Sequence, residues 1–580
     1  MAIYHESKSK IIFSSIFLFG AFLLLYSPLQ LGWRELYMHE GLYAVMAKEL
    51  NYTMPVNIAH GELIANHYPL FGYFSKIIFD LFGISMELAL RLVSVVSLFL
   101  ISLIVYLSAR RADNRLSGYV AVAVVISSNI VIEKALDGYP FFLALFFIFG
   151  GWIMWFLCGF VYNKWSWGWF FAFLAMGFSF LTIGVNAIIF FAFPFIFMRR
   201  PLTIWTKLKH KGFALGIVLL VAFILFWVIS RQLTGLQSVV LSTSYFSLKE
   251  YLQHLVIFPF DVIWRFMPWS IFIWAPFCVA MQPLIKSPIF CRYLRTIILS
   301  LFLLLWLSPF HYGEVRYIAI LAPPIAILTG MNYWLLIRRY GDKFKYGYKF
   351  LNIGVLLAGI FVIVIYIIPE QMLQLFNLKK MQLDFIADAN NFIAGMIAGS
   401  ILLTIWVFLR CFMNSKKYVL WVHMLTLVVS CAVLFWSVVV PYKAQRNDKR
   451  EFGNALNEIL IEHKVDSNMP IYKYKIATGY ARGFYSQHPV FKIDVLENLS
   501  SGKNPEKIIY VLSPEYPVDP ARRWTSLTPQ GLRDKNSKNK QPLELWVGTL
   551  LSTSIGDNGK FLNQKENDVL IKGDGNSEGK

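Results

Sequence analysis

Arg34-Glu35-Leu36-Tyr37-Met38-His39-Glu40-Gly41-Leu42-Tyr43-Ala44 is a charged stretch lying between two long apolar runs, residues 11–33 and 86–109. Each run is long enough to cross a hydrocarbon core of about 30 Å. The stretch therefore faces water and lipid at once, and Glu40 is the first residue to suspect of chemistry.

Around it the 580-residue chain is 57% hydrophobic, 17% aromatic and only 15% charged, far more apolar than a soluble domain of this size. Further apolar runs fall at 116–133, 138–161, 167–182, 185–198, 212–230, 266–285, 295–309, 316–337, 350–369, 392–412 and 418–441. The reading is a polytopic, all-α membrane protein of about thirteen spans, the fifth and sixth parted only by a Thr182-Ile183-Gly184 turn. The first run has no small-residue cleavage site and is expected to stay as an anchor.

A net charge of +20 would suggest nucleic acid in a soluble protein, but the basic residues fall mainly in alternate loops. Lys8 and Lys10, Arg110 and Arg111, Arg199 and Arg200, Lys286 and Arg292, Arg338 and Arg339, and Lys416 and Lys417 all belong to one side. The positive-inside rule makes that side cytoplasmic. The N-terminus is then inside, and the Glu40 loop and everything after Pro441 lie outside. Topology and contact with anionic lipids account for the charge, and nucleic-acid binding is not expected. The five cysteines sit in or beside spans without paired spacing, so neither a disulfide framework nor a zinc site is expected.

After Pro441 the character changes. Residues 451–464 carry apolar positions at helical spacing, while 470–474, 507–512 and 545–547 read as strands. The organisation expected is a membrane domain over 1–441 with an interfacial-helix loop at 34–85. An extracytoplasmic α/β domain over 442–552 and a disordered tail over 553–580 follow.

Within the 34–85 loop, 34–50 and 69–82 have the spacing of helices lying along a membrane surface and shaping a cavity at the lipid boundary. Asn66-His67-Tyr68-Pro69-Leu70 adds polar groups and a bend. Glu133-Lys134-Ala135-Leu136-Asp137-Gly138-Tyr139-Pro140 returns acids to the same face. A carboxylate at span depth costs on the order of 2.5 to 3.5 kcal/mol, so Asp137 should have a role or a partner. Plainer readings compete: Glu40 as a surface acid paired with a neighbour, Asp137 as a helix cap, His67 as an interfacial polar residue, Arg316 as an anchor of a span end.

These motifs, in this order, resemble the GT-C membrane glycosyltransferases that take sugar from a polyprenyl-phosphate carrier. The likeness is to the lipid A aminoarabinose transferases and the protein O-mannosyltransferase-like bacterial group. His39-Glu40-Gly41-Leu42-Tyr43-Ala44 falls on the family's Asp-Glu-x-Arg-Tyr-Ala, and Asn66-His67-Tyr68-Pro69-Leu70 on its Glu-Lys-Pro-Pro-Leu. Leu136-Asp137-Gly138-Tyr139-Pro140 is similar to its Leu-Asp-x-Pro turn, and Phe180-Leu181-Thr182-Ile183-Gly184 to its Phe-Leu-Thr-Lys-Gly. Phe266-Met267-Pro268-Trp269 resembles a Leu-Pro-Trp entry, and Arg316-Tyr317 with Pro323-Pro324 a Tyr-x-x-Pro run. The departures are chemical: the leading acid is His39, the arginine is Leu42, Glu-Lys is Asn66-His67 and the later lysine is Ile183.

The resemblance implies a GT-C fold with a small outer α/β domain in a bacterial inner membrane. It also implies transfer of a sugar from a polyprenyl-phosphate-linked donor to a lipid, glycan or protein acceptor of the envelope. Such transfer needs a base for an acceptor hydroxyl and positive charge or donors near the leaving phosphate. Glu40 and Asp137 are the candidate bases, and His67, His39, Arg316 and Lys134 the candidate phosphate partners. A divalent metal held by Glu40, Asp137 and a histidine is a possible substitute. If His67 served as a cation, activity would rise as it gains a proton, because an ordinary imidazole titrates near pH 6.5. A non-catalytic relative that binds polyprenyl phosphate or scaffolds glycan assembly is the alternative. A transporter or flippase is a third reading, but no repeated halves with Gly/Pro-broken spans are visible.

Overall fold

The computed structural model describes residues 8–551 except 27–34, 37–38, 53–55, 65–66, 235–237, 240–246, 279–285, 310–313, 342–344, 369–388, 413–419, 441–448, 475–479, 494, 497–498, 500–506, 529–531 and 533–542. The expected tail over 553–580 lies outside the described residues.

Nine helices among the described residues are long and apolar enough to cross a membrane, and two bent pairs bring the number to as many as eleven. The chain is a multi-pass membrane protein. Each of the thirteen apolar runs meets helix, but four depart from a simple span. Residues 8–25 form a helix of 18 residues within which the apolar part is Ile12–Leu25. The run at 116–133 is split into Arg115–Ser127 and Asn129–Ala135, bent by 57°. Ser127 and Ser128 turn their hydroxyls back on Ala123 O and Val124 O at that break, the kind of local bond that loosens a helix ladder. Within the run at 266–285 the described helix is Ser270–Phe277, which follows the preceding helix Leu248–Arg265 at 106°, with Pro268 at the corner. Trp165–Ile183 and Val185–Ile196 part at Gly184, whose φ of +68° and close packing against the Tyr68 ring suit glycine alone.

The long Met86–Ala112 helix shows how local sequence sets element ends. Ser85 caps it by accepting from Leu88 N at 3.3 Å, and Arg110 and Arg111 complement the dipole at its other end. The bundle interior is aromatic, with Trp152, Trp155, Trp269, Tyr119, Tyr293 and Tyr333 all nearly fully buried. Two of their polar tips are tied down: Tyr293 donates to Trp152 O at 2.9 Å and Trp269 to Ser127 Oγ at 2.8 Å.

The C-terminal region builds a five-stranded sheet from β4 (Ile471–Tyr474), β5 (Val490–Ile493), β6 (Ile508–Ser513), β7 (Arg522–Ser526) and β8 (Glu544–Leu550), in the order β5-β4-β6-β8-β7. β4 runs parallel to β5 and β6, whereas β8 pairs antiparallel with β6 and β7. The Lys449–Glu462 helix covers the sheet with Phe452, Leu456 and Leu460 against Ile471, Leu512 and Leu545.

This domain is bonded to the loop that carries Glu40. Arg450 reaches Glu87, at the start of the Met86–Ala112 helix, at 2.8 Å, and Tyr485 donates its hydroxyl to the same carboxylate. Glu35 accepts from the backbone N–H groups of Lys449 and Arg450 at 3.2 and 3.0 Å. The Glu40–Glu49 helix presses Gly41 so closely on Ala481 that a side chain there would collide with backbone. A hairpin of β1 (Ile58–Ala59) and β2 (Glu62–Ile64), the latter joined by β3 (Ser238–Val239), places His60 Nδ1 2.6 Å from Val490 O.

Glu49 ends the Glu40–Glu49 helix inside this joint, where it accepts from His60 N at 3.1 Å. Burial pushes its carboxyl up to about 7, although the backbone groups of His60 and Gly61 and the charges of Lys48 and Lys473 oppose the shift. A carboxyl whose folded pKa is raised contributes stability below its ordinary value, and loses it as pH rises through about 7. Burial likewise lowers Lys473 to about 8, so its own contribution runs the other way as pH rises. Glu49→Gln isolates the carboxyl. The wild-type chain is expected to lose thermal stability relative to Glu49→Gln as pH rises from about 5.5 to about 8, and parallel melting curves would disprove it.

Candidate functional site

The loop acid Glu40 is 3% exposed and pairs with Arg91, whose Nη2 stands 3.1 Å from Oε2. Its other oxygen accepts the backbone N–H of Gly138 at 2.7 Å. Arg91 in turn donates to Glu35 O at 3.1 Å. A Cβ at Gly138 would lie 3.0 Å from Leu90 Cβ and 3.6 Å from the Glu40 oxygen, so glycine lets the turn approach the ion pair. Ser94 completes the clamp, its hydroxyl within 3.1 Å of both Asp137 O and Tyr139 O. Glu40, Arg91 and Ser94 thus fix the Asp137-Gly138-Tyr139 turn by its backbone and leave the Asp137 carboxylate to be aimed elsewhere.

That carboxylate faces Arg316, with Oδ2 3.9 Å from Nη2. Arg316 comes from the 3-10 helix Val315–Leu321 and lies over the Tyr139 ring, 3.8 Å from its centroid. Tyr139 meets Tyr43 edge to face at 5.1 Å, and Tyr43 meets His67 at 5.3 Å and Phe71 at 5.6 Å. Tyr317, the neighbour of Arg316, accepts from Asn186 Nδ2 at 3.1 Å and packs on Phe141 and Phe190. Tyr68 closes the far wall against Gly184 and stacks on Trp227 at 4.9 Å. Five of the six sequence motifs therefore meet in one cluster of contacting side chains. The sixth, Phe266–Trp269, braces the broken helix behind it, where Met267 O accepts from Asn129 N at 3.3 Å.

The structure brings together Glu40, Asp137, Arg316, His67 and His39, the last exposed beside the first motif and close enough to His67 to act on it electrostatically. Lys134 turns to a different network, bonding Glu133 at 2.6 Å, and Glu133 also holds Arg265 at 2.6 Å. His67 departs from the expectation of a titrating cation. Burial, with a smaller push from His39, holds its imidazole down to about 4, so it is neutral from pH 5.5 to 7.5. A slope of activity in that range does not come from His67. Its Nδ1 is buried without a partner among the described residues, a group that suits a hydroxyl better than a phosphate charge. For the divalent metal, no three His, Cys, Asp or Glu side chains lie close enough to hold an ion among the described residues, and Glu40 is turned to Arg91.

Arg91, Tyr43 and Tyr139 escaped the sequence reading. Arg91 had a signal, because a lone arginine within an apolar run is expensive unless it meets an acid, here Glu40. Removing one partner of such a buried pair strands the other charge. Glu40→Gln is expected to cost about 3 to 5 kcal/mol of stability, and the Glu40→Gln, Arg91→Met double variant to recover much of it. Melting curves of the three chains check this, and a double variant no more stable than Glu40→Gln would contradict the pairing.

No protein-family model and no curated protein matches the chain. Among solved structures it is similar to ArnT from Cupriavidus metallidurans bound to undecaprenyl phosphate. That comparison has a TM-score of 0.63 and 14% identity over 92% of this chain and 98% of that one. The apo state of the same ArnT gives 0.63 and 15%, over 93% and 98%. An oligosaccharyltransferase from Archaeoglobus fulgidus in the apo form also matches, at 0.39 and 12%, over 87% and 70%. Over almost its whole length, the chain has the fold of the ArnT-type GT-C membrane glycosyltransferases.

Proposed function

We propose that the chain is an integral-membrane glycosyltransferase of the extracytoplasmic face of a bacterial inner membrane. It moves a sugar from a polyprenyl-phosphate donor to an acceptor of the cell envelope, a lipid, glycan or protein. The observation that carries this reading is the meeting of a carboxylate and a guanidinium, Asp137 and Arg316, beside a cluster of tyrosines where five motifs converge. The ArnT structure with a comparable fold was solved with undecaprenyl phosphate bound, which supports the choice of carrier.

In this reading Asp137 takes the proton of the acceptor hydroxyl as its oxygen attacks the anomeric carbon. The bond from that carbon to the phosphate oxygen breaks, and the electron pair leaves with polyprenyl phosphate beside Arg316. Glu40 is assigned a positioning role in place of the base expected from sequence, since Arg91 and Gly138 N–H already engage its two oxygens. His39, Leu42 and Ile183 replace groups of the family pattern, which favours keeping a non-catalytic, lipid-phosphate-binding relative as the second reading. Both require that the purified protein bind undecaprenyl phosphate more tightly than undecaprenol. Equal affinity for the two lipids would sink both.

A further inference from the structure

Glu35 belongs to the charged stretch that opens the loop, yet the mechanism gives it no part. It is 9% exposed, and a carboxylate so placed must have its charge answered. The answer comes from the outer domain. Its Oε2 and Oε1 accept the N–H groups of Lys449 and Arg450 at 3.2 and 3.0 Å, at the start of the Lys449–Glu462 helix. Those N–H groups find no acceptor within their own helix, and the helix dipole places partial positive charge there. Glu35 is therefore a helix cap supplied from 414 residues away along the chain.

Leu36 strengthens the strap. Its N–H donates to the Tyr485 hydroxyl at 3.0 Å and its carbonyl accepts from Lys449 Nζ at 2.6 Å. One bond of the strap points the other way. Glu35 O accepts from Arg91 Nη2 at 3.1 Å, and the same nitrogen donates to Glu40 Oε2 at 3.1 Å. Glu40 Oε1 then holds Gly138 N–H at 2.7 Å, on the peptide that follows Asp137. The path from the outer-domain helix to the Asp137 turn thus runs through Glu35, Arg91 and Glu40, none more than 9% exposed. Charge-assisted bonds of this kind, shielded from water, fix direction as well as distance.

We propose that Glu35 is a positioning residue for the transfer reaction: its carboxylate docks the outer domain, and its carbonyl sets Arg91, Glu40 and through them the Asp137-Gly138-Tyr139 turn. The outer domain is then a working part of the site. The proposal rests on the glycosyltransferase reading and deepens it. Two further contacts limit what the loss of Glu35 does. Arg450 and Tyr485 also grip Glu87, one turn before Arg91 on the Met86–Ala112 helix, so the domain stays docked. Ser94 holds Asp137 O and Tyr139 O by itself, so the turn is misaimed and not released.

Glu35→Gln replaces one of the two capping oxygens by an amide NH2 that faces an N–H group. The test compares the wild type and this variant, as purified full-length protein, by backbone hydrogen exchange, sugar transfer and undecaprenyl phosphate binding. Exchange is expected to speed up at the start of the 449–462 helix and also across 134–140, where Gly138 N–H lies. Transfer should fall by about 10- to 100-fold, the effect of a small misplacement at the reacting centre, with undecaprenyl phosphate affinity unchanged because Arg316 lies off the path. Glu35→Asp keeps the charge with a shorter reach and should show smaller changes of the same kind, even if Glu35→Gln folds poorly. Faster exchange confined to 449–462, or unchanged transfer, would overturn the proposal, as would an equal loss of transfer and affinity, which marks general loosening. A wild-type protein without transfer would overturn the glycosyltransferase reading itself, and exchange at 134–140 would still decide whether Glu35 holds the turn.

Discussion

Asp137→Asn is expected to lower sugar transfer by about 10²- to 10⁴-fold, the range that a positioned general base contributes. The change is confined to the carboxylate. The turn is held by its backbone, through Ser94 to Asp137 O and through Glu40 to Gly138 N–H, so the variant should fold and melt like the wild type. Asp137 also sits 3.9 Å from Arg316 and competes with any incoming phosphate for that cation. Removing its charge should leave undecaprenyl phosphate affinity unchanged or tighter while turnover collapses. That opposite movement of binding and rate separates a base from a structural anchor, whose loss would weaken both. A variant with near wild-type transfer would remove Asp137 from the chemistry.

Arg316→Ala should instead lose donor affinity and turnover together. A preorganised donor at a developing negative charge is commonly worth about 10² to 10³ in rate. Arg316→Lys separates charge from shape. Lysine keeps the positive charge but has neither the planar fork nor the flat face that covers Tyr139 at 3.8 Å, so it should recover only part of the loss. Full recovery by lysine would mean that charge alone matters and that the stack on Tyr139 is incidental. Undecaprenyl phosphate binding and transfer measured on the three chains decide between these outcomes.

The fold was largely legible because the hydrocarbon core imposes a length on each apolar run, and each of the thirteen runs meets helix. What the sequence hid were breaks set by local side-chain bonds and by contacts between elements together. The split at Ser127–Ser128 and the corner at Pro268 depend on which backbone groups neighbours can satisfy, and hydropathy carries no record of that. The site was legible as a set of motifs and illegible as a division of labour. Glu40 and Asp137 are both acids beside the same turn, and only the position of Arg91, 51 residues from Glu40 along the chain, separates a buried ion pair from a carboxylate beside Arg316. His67 reads as a titratable phosphate partner until its burial behind Tyr43 is seen. Tyr139 drew no notice in the sequence because its importance lies in what touches it, Tyr43 from one helix and Arg316 from another.

The most direct test of the central claim is a donor-consumption measurement. Membranes containing the wild-type chain or Asp137→Asn are supplied with polyprenyl-phosphate-sugars extracted from the host envelope, and released undecaprenyl phosphate is followed by mass spectrometry. The account predicts steady release with the wild type and a rate lower by about 10² or more with Asp137→Asn. Equal release from both, or none above membranes lacking the protein, would contradict it.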